Sequence, residues 1–307
     1  MRHGSLFTGA GGLDMAVEQF FGAETVWHSD IKPAAVKLIE RYWPGTNLGD
    51  ITAIDWASVE PVDVMSGGSP CQDMSAAGKR AGMKSGTRSG LWSYMRDAIE
   101  TIRPQFVLWE NVRGAYSAAA DSNMEPCAWC VGDGPDVSLR ACGRVLGDLA
   151  DLGYDAQWAG LRAADAGAPH GRFRVFILAT DARQTDGAPR HGLGDGRQAT
   201  IGSAPTDRPR NSDPASGVDW GVYEPAIRRW ERILGRPAPQ PTITGPKGGQ
   251  QLSPELTDWM MGWPDGWTDV PGIKRAERLS MGGDGVVPQQ AIEALHRLWP
   301  YASEIAA

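Results

Sequence analysis

Over the first 180 residues, short apolar runs with strand character alternate with stretches of helical spacing. Leu6-Phe7 leads through Thr8-Gly9-Ala10-Gly11-Gly12 into a helix predicted from residue 13 to about 21. Residues 25–29 read as a second strand that ends at Asp30. A third, at 62–65, runs out through Ser66-Gly67-Gly68-Ser69-Pro70-Cys71. Leu91, Met95, Ile99 and Ile102 lie at helical spacing, and residues 106–109 form a fourth strand ending at Glu110-Asn111. Val145, Leu146, Leu149 and Leu152 mark another helix face, and 173–179 a further strand. Such alternation predicts an α/β fold on a parallel sheet.

Beyond Thr180 the pattern weakens. Residues 181–250 are rich in Gly, Pro, Arg and Asp, with 10 Lys+Arg against 8 Asp+Glu, and read as loop-rich apart from a short amphipathic helix beginning at Ile227. Order returns near Leu252, with a helix through Trp259-Met260-Met261 and a last one from 288 to about 298. The tryptophans between 259 and 267 read as core that packs the second lobe onto the first. Three segments follow: 1–180, 181–251 and 252–307.

With 307 residues the chain has enough length for one large core and a small second lobe. No uninterrupted apolar run reaches membrane-spanning length, and the N-terminus enters a glycine turn without a signal-peptide pattern, so a cytoplasmic protein without a membrane partner is expected. A net charge of −7 argues against a surface coated with nucleic acid but leaves room for a local basic groove. The four cysteines, Cys71, Cys127, Cys130 and Cys142, are expected to be reduced. Cys127-Ala128-Trp129-Cys130 looks like half of a zinc site. Cys142 and His170 are other candidate ligands, but their spacing matches no standard finger, so no metal is assigned.

The candidate chemistry clusters at strand ends. A glycine-rich turn after the first strand lets a ligand approach the backbone, and an acidic residue about 20 positions on can hold ribose hydroxyls. Asp30 has that position. The turn lacks the dinucleotide G-x-G-x-x-G spacing, so a nucleoside cofactor without pyrophosphate suits it better. Cys71 follows a strand end, where sites gather in open α/β sheets. Glu110 leaves a buried strand, a setting that raises a carboxyl pKa. Strand alternation in Arg172-Phe173-Arg174 puts both guanidinium groups on one face, suited to a carbonyl or carboxylate. Taken singly, a Pro-Cys turn, a helix-capping Glu and a solvated arginine edge explain each as well.

In order, the glycine turn, Asp30, Pro70-Cys71-Gln72, Glu110-Asn111-Val112, Arg172-x-Arg174 and Gly285-Val286-Val287-Pro288 resemble the blocks of bacterial and phage DNA cytosine-5 methyltransferases. The resemblance implies a Rossmann-like S-adenosylmethionine-dependent domain, with 181–251 as a smaller, loop-rich target-recognition lobe. It implies methyl transfer to C5 of a flipped-out cytosine in duplex DNA, with S-adenosylmethionine as donor. The thiolate of Cys71 would add at C6, C5 would take the methyl group, and loss of the C5 proton would release the thiol. Glu110 would hold ring N3 as a proton donor. Arg174 would orient Glu110 and the cytosine carbonyl, and Arg172 belongs to the same block. The acidic residue often found between these arginines is replaced by Phe173.

The same resemblance assigns the cofactor to Phe7, Gly9, Gly11, Gly12, Asp30, Ile31, Asp50, Ile51, Pro70, Leu91, Asp284 and Val286. Asp284 stands where the family has Asn, exchanging a hydrogen-bond donor for an acceptor. From 78 to 96 the chain holds five basic residues and no acidic one. Gln72, Lys79, Arg80, Lys84 and Arg88 would meet DNA there. A monomer is expected, with a cognate restriction endonuclease as a candidate partner. Two alternatives stay open: an RNA cytosine methyltransferase, and an inactive DNA-binding relative.

Overall fold

The computed structural model describes residues 1–69, 91–116, 119–120, 139–184 and 217–305. In chain order it comprises β1 (Arg2–Leu6), α1 (Gly12–Phe21), β2 (Glu24–Ser29), α2 (Pro33–Tyr42), β3 (Thr46–Asn47), β4 (Val64–Gly67), α3 (Trp92–Ile102) and β5 (Phe106–Val112). The short pair β6 (Ala119–Ala120) and β7 (Leu139–Arg140) follows, then α4 (Ala141–Asp151), β8 (Tyr154–Arg162), β9 (Phe173–Asp181) and α5 (Glu224–Leu234). A hairpin of β10 (Thr242–Thr244) and β11 (Gln250–Leu252) precedes α6 (Pro254–Met260), α7 (Arg275–Asp284) and α8 (Pro288–Ile305).

Seven strands form one sheet in the order β3-β2-β1-β4-β5-β9-β8. The five from β3 to β5 run parallel, whereas β9 is antiparallel to both β5 and β8. The sheet is therefore mixed, not parallel throughout as the alternation predicts. Apolar periodicity reports which face a residue takes, not the direction of its strand. The arginine block also differs from expectation: β9 starts at Phe173, so Arg172 lies just outside the alternating strand.

The two faces of the sheet bury different side chains, as a period of two requires. Val64, Phe106, Leu108, Phe176 and Leu178 pack with residues of α1 and α8. Met65, Val107, Trp109, Val175 and Ile177 pack with residues of α3 and α4. Each fully buried side chain of this kind contributes ~1.5–3 kcal/mol.

A third cluster joins Ile227 and Trp230 of α5 to Trp259, Trp263, Trp267 and Met281, and reaches Ala10, Leu38 and Trp43 of the first lobe. The Trp267 indole donates to Ala10 O at 2.8 Å and stacks on Tyr42 at 3.9 Å. Among the described residues no helix is long and apolar enough to cross a membrane.

Candidate active site

The glycine turn is built by backbone geometry. Phe7, Gly9 and Gly11 have φ of 56°, 58° and 75°, in the left-handed region that favours glycine. The Phe7 amide donates to Ser29 O at 2.8 Å, and the Gly11 amide to Thr8 O at 2.9 Å. A Cβ on Gly12 would run into Val286 O, so the chain from α7 to α8 lies directly against the turn. Trp263 Nε1 donates to the same carbonyl at 3.0 Å. A Cβ on Gly9 would meet nothing nearer than Phe7 O at 3.8 Å, leaving that backbone face open to a ligand.

Asp30 is buried and braces this turn: its two carboxylate oxygens accept from the Gly9 and Lys32 amides, each at 2.8 Å. Each oxygen retains lone-pair capacity for a further donor. Ile31, beside it, is an exposed apolar side chain (66%). Ser29 Oγ donates to Gly49 O at 2.8 Å, which draws the neighbouring Asp50 to the end of β2. Asp50 Oδ1 accepts from the Thr52 amide and hydroxyl at 3.0 and 2.9 Å. Ile51 is buried in the core, and Leu91 is half-buried at the start of α3. Asp284 pairs with Lys32 at 3.1 Å across the rim. An open glycine backbone, a buried acid, an exposed aliphatic side chain and a mixed-charge rim fit a nucleoside carrying an amino-acid tail, as in S-adenosylmethionine.

Glu110 and Arg174 meet at the far ends of β5 and β9. Val112 is paired with Arg174 in the antiparallel register and Glu110 with Phe176, so Glu110 and Arg174 are diagonal neighbours on one face. Arg174 Nε lies 2.8 Å from Glu110 Oε1, with both side chains about nine-tenths buried. Burial pushes the Glu110 carboxyl above the usual range, while the charges of Arg174 and Arg172 draw it back. The net direction is upward.

The other face of β5 holds the approach to Cys71. Asn111 Nδ2 donates to Ser69 O at 3.1 Å, and Trp109 Nε1 to Ser69 Oγ at 3.3 Å. A Cβ on Gly68 would lie 3.0 Å from Glu110 Oε2. Pro70, Cys71, Gln72, Lys79, Arg80, Lys84 and Arg88 lie outside the described residues. Sequence reasoning named Ser69 only as the residue that leads into Pro70-Cys71 and gave neither it nor Lys32 a role in this site. Lys32 carried a weak signal, as a cation two residues past Asp30; the partners of Ser69 are 40 and 42 residues away and leave no mark on its local pattern.

Arg172 hydrogen-bonds the end of α7. Its Nη1 donates to Gly282 O at 3.2 Å, and its Nη2 to Gly283 O and Gly285 O at 2.7 and 2.6 Å. The guanidinium thus holds the carbonyl end of α7. Among the described residues no group of three or more His, Cys, Asp or Glu side chains could hold a metal ion. Cys127 and Cys130 lie outside those residues. Cys142 is buried on α4, its thiol pushed up to about 11 by burial, and His170 Nε2 donates to Met260 O at 3.1 Å.

The fold is that of the Rossmann-like α/β methyltransferases. Aligned over 98% of this chain and 99% of theirs, two solved structures share it: a DNA modification methyltransferase encoded within an E. coli prophage (TM-score 0.59, 16% identity) and S. pombe Dnmt2 methyltransferase (TM-score 0.56, 12% identity). Residues 1–191 match the C-5 cytosine-specific DNA methylase family, and the chain belongs to that family.

Among its relatives is Type II methyltransferase M.NgoBV of Neisseria gonorrhoeae, 29% identical over 178 residues, which cover 56% of this chain and 39% of the relative. Another, M.HgiBI of Herpetosiphon aurantiacus, is 32% identical over 178 residues, covering 56% and 36% respectively. The aligned stretch thus spans roughly two fifths of the length of these relatives.

Proposed function

We propose that this protein methylates C5 of cytosine in duplex DNA, with Cys71 as nucleophile and S-adenosylmethionine as donor. The observation that carries the reading is the buried Glu110–Arg174 pair, one strand away from Ser69, where the chain leads into Pro70-Cys71. In the sequence Cys71 follows Ser69 by two residues.

The division of labour follows from the chemistry of cytosine. C5 is a poor nucleophile until a thiolate adds at C6. Glu110, its pKa raised by burial, would act as a proton donor to ring N3 in the transition state and so make C6 more electrophilic. Arg174 fixes the direction of that carboxyl and offers a remaining N–H to the ring carbonyl. When bound, S-adenosylmethionine supplies an electrophilic methyl group on a sulfonium. Phe7, Gly9, Gly11, Asp30, Ile31, Asp50, Ile51, Leu91, Asp284 and Val286 would hold it, with Asp30 reaching the ribose and Ile31 or Ile51 the adenine, while Gly12 lets the Val286 carbonyl pack against the turn.

The target must leave the base stack, because C5 and C6 are otherwise covered above and below. The basic residues Lys79, Arg80, Lys84 and Arg88 would meet the phosphates of that DNA, with Gln72 near the flipped nucleotide. Residues 181–251 form the target-recognition region in this reading. Its exposed β10–β11 ribbon supports the assignment: residues 235–254 contain no Asp or Glu, Lys247 is in the turn, and a two-stranded ribbon fits the major groove. The names of the Type II relatives favour a restriction–modification setting with a cognate endonuclease.

Bisulfite sequencing of plasmid from cells expressing the wild type and Cys71→Ala tests the reading. Protection of cytosine in one short context, only with the wild type, is expected. No protection by folded wild type, or methylation of tRNA in place of DNA, would overturn it.

A further inference from the structure

We infer that Arg172 is a positioning residue that couples the cofactor wall to Glu110, and not a ligand of the flipped base. This rests on the proposed function. One guanidinium grips the carbonyls of Gly282, Gly283 and Gly285. The last carbonyls of a helix lack intrahelical partners and form its negative end, so a cation with a planar fork of donors suits them. The backbone of Arg172 is held as well: its carbonyl accepts from Ala163 N at 2.7 Å and Gln290 Nε2 at 3.1 Å.

On one side of this anchor the chain reaches Glu110 within two residues, through Arg174. On the other side, the α7 end it holds continues into the cofactor wall. Asp284 pairs there with Lys32, whose amide is bonded to Asp30, and Val286 O lies against Gly12. A track of hydrogen bonds and ion pairs, joined by short lengths of chain, therefore runs from the glycine turn to the carboxyl that would hold cytosine N3. Movement of the α7 end when the cofactor seats would shift Arg172 and, with it, the Arg174–Glu110 pair. Arg172 would then make cofactor and target DNA bind cooperatively, and the effect must be reciprocal.

The test measures duplex affinity with and without S-adenosylhomocysteine, for the wild type and Arg172→Lys, which keeps the charge but loses the fork. For the wild type we expect the cofactor product to tighten DNA binding, on the order of 5- to 150-fold. In Arg172→Lys the factor should fall to about 1, with each ligand's separate affinity changed less than about threefold. An unchanged factor, or a loss of DNA affinity equal with and without cofactor product, would overturn the role, the latter being the signature of a direct DNA ligand.

Hydrogen exchange of the wild type avoids dependence on the variant's folding. Duplex alone should slow exchange in the 278–287 peptide; no change there would also overturn the role. A wild type that binds no S-adenosylhomocysteine would overturn the proposed function itself. Binding with an unaltered factor in Arg172→Lys would overturn the coupling alone.

Discussion

Arg174 Nε lies 2.8 Å from Glu110 Oε1, in a pair held on one sheet face by the antiparallel register of β5 and β9. Burial and this cation act on the carboxyl in opposite directions. Removing the arginine therefore removes a downward influence and leaves burial unopposed. In Arg174→Ala, the alkaline limb of the pH–rate profile should move to higher pH, because the protonated form of Glu110 persists further. The rate at the optimum should fall, since the carboxyl is no longer oriented. Glu110→Gln should lose ~100-fold or more in kcat, the usual scale for a general acid, and should flatten that limb. Single-turnover rates across pH read both effects, and an unshifted limb in Arg174→Ala would contradict the assignment.

Gly9 and Gly12 separate ligand contact from packing. Gly12→Ala would drive a Cβ into Val286 O, with an expected cost of about 1–3 kcal/mol for overpacking. Gly9→Ala meets no such obstacle but must take a left-handed φ of 58°, costing about 1–2 kcal/mol. Its methyl group would also occupy the face left for the cofactor. Thermal unfolding with and without S-adenosylhomocysteine should show the larger loss of stability in Gly12→Ala and the larger loss of ligand-induced stabilisation in Gly9→Ala. The reverse order would contradict the placement of the cofactor.

Asp284 replaces the donor its family resemblance implies, yet it has a partner in Lys32. Exposed pairs of this kind are worth less than about 1 kcal/mol. Asp284→Asn should therefore leave the Tm nearly unchanged while altering cofactor affinity more than kcat. Calorimetric titration with S-adenosylhomocysteine checks this; equal affinity in both forms would remove Asp284 from the cofactor rim.

Beneath the glycine turn, Asp14 and His28 are both buried, with Asp14 Oδ1 3.7 Å from His28 Nδ1. Burial pushes Asp14 up to about 7 and His28 down to about 4, so near pH 6 they meet as neutral groups, not as an ion pair. A raised carboxyl pKa stabilises the fold below its unfolded value and loses that contribution as pH rises through the folded one. Asp14→Asn should thus gain stability relative to the wild type between about pH 4 and pH 8, by on the order of a few kcal/mol. Urea unfolding across that range measures it, and a pH-independent difference would contradict the shift.

Much of this architecture is legible in the sequence because strand ends carry chemistry. Asp30 and Glu110 stand where apolar runs stop, and α1, α3 and α4 follow from helical spacing, whereas α2 (Pro33–Tyr42) was not anticipated. The antiparallel β8 was missed: Tyr154–Arg162 mixes Gly, Ala, Gln and Asp at the sheet edge, where one neighbour suffices. The helix α7 was also missed, because Arg275–Asp284 holds four charged residues and a Gly-Gly pair. That omission hid the partner of Arg172, since three backbone carbonyls 110 to 113 residues away leave no mark on its local pattern. The Trp263–Val286 and Trp267–Ala10 contacts, which join the two ends of the fold, were equally invisible as pairs, although burial of those tryptophans was expected.

The central claim is covalent catalysis by Cys71, and trapping tests it most directly. Duplex DNA carrying 5-fluorocytosine at the bisulfite-defined site would be incubated with the protein and S-adenosylmethionine, digested, and analysed by mass spectrometry. Fluorine cannot leave C5 as the proton does, so a Cys71 peptide bearing a 5-methyl-5-fluoro-dihydrocytosine adduct at C6 is predicted, and none should form with Cys71→Ala. Absence of the adduct, under conditions in which ordinary DNA of the same sequence is methylated, would contradict the account.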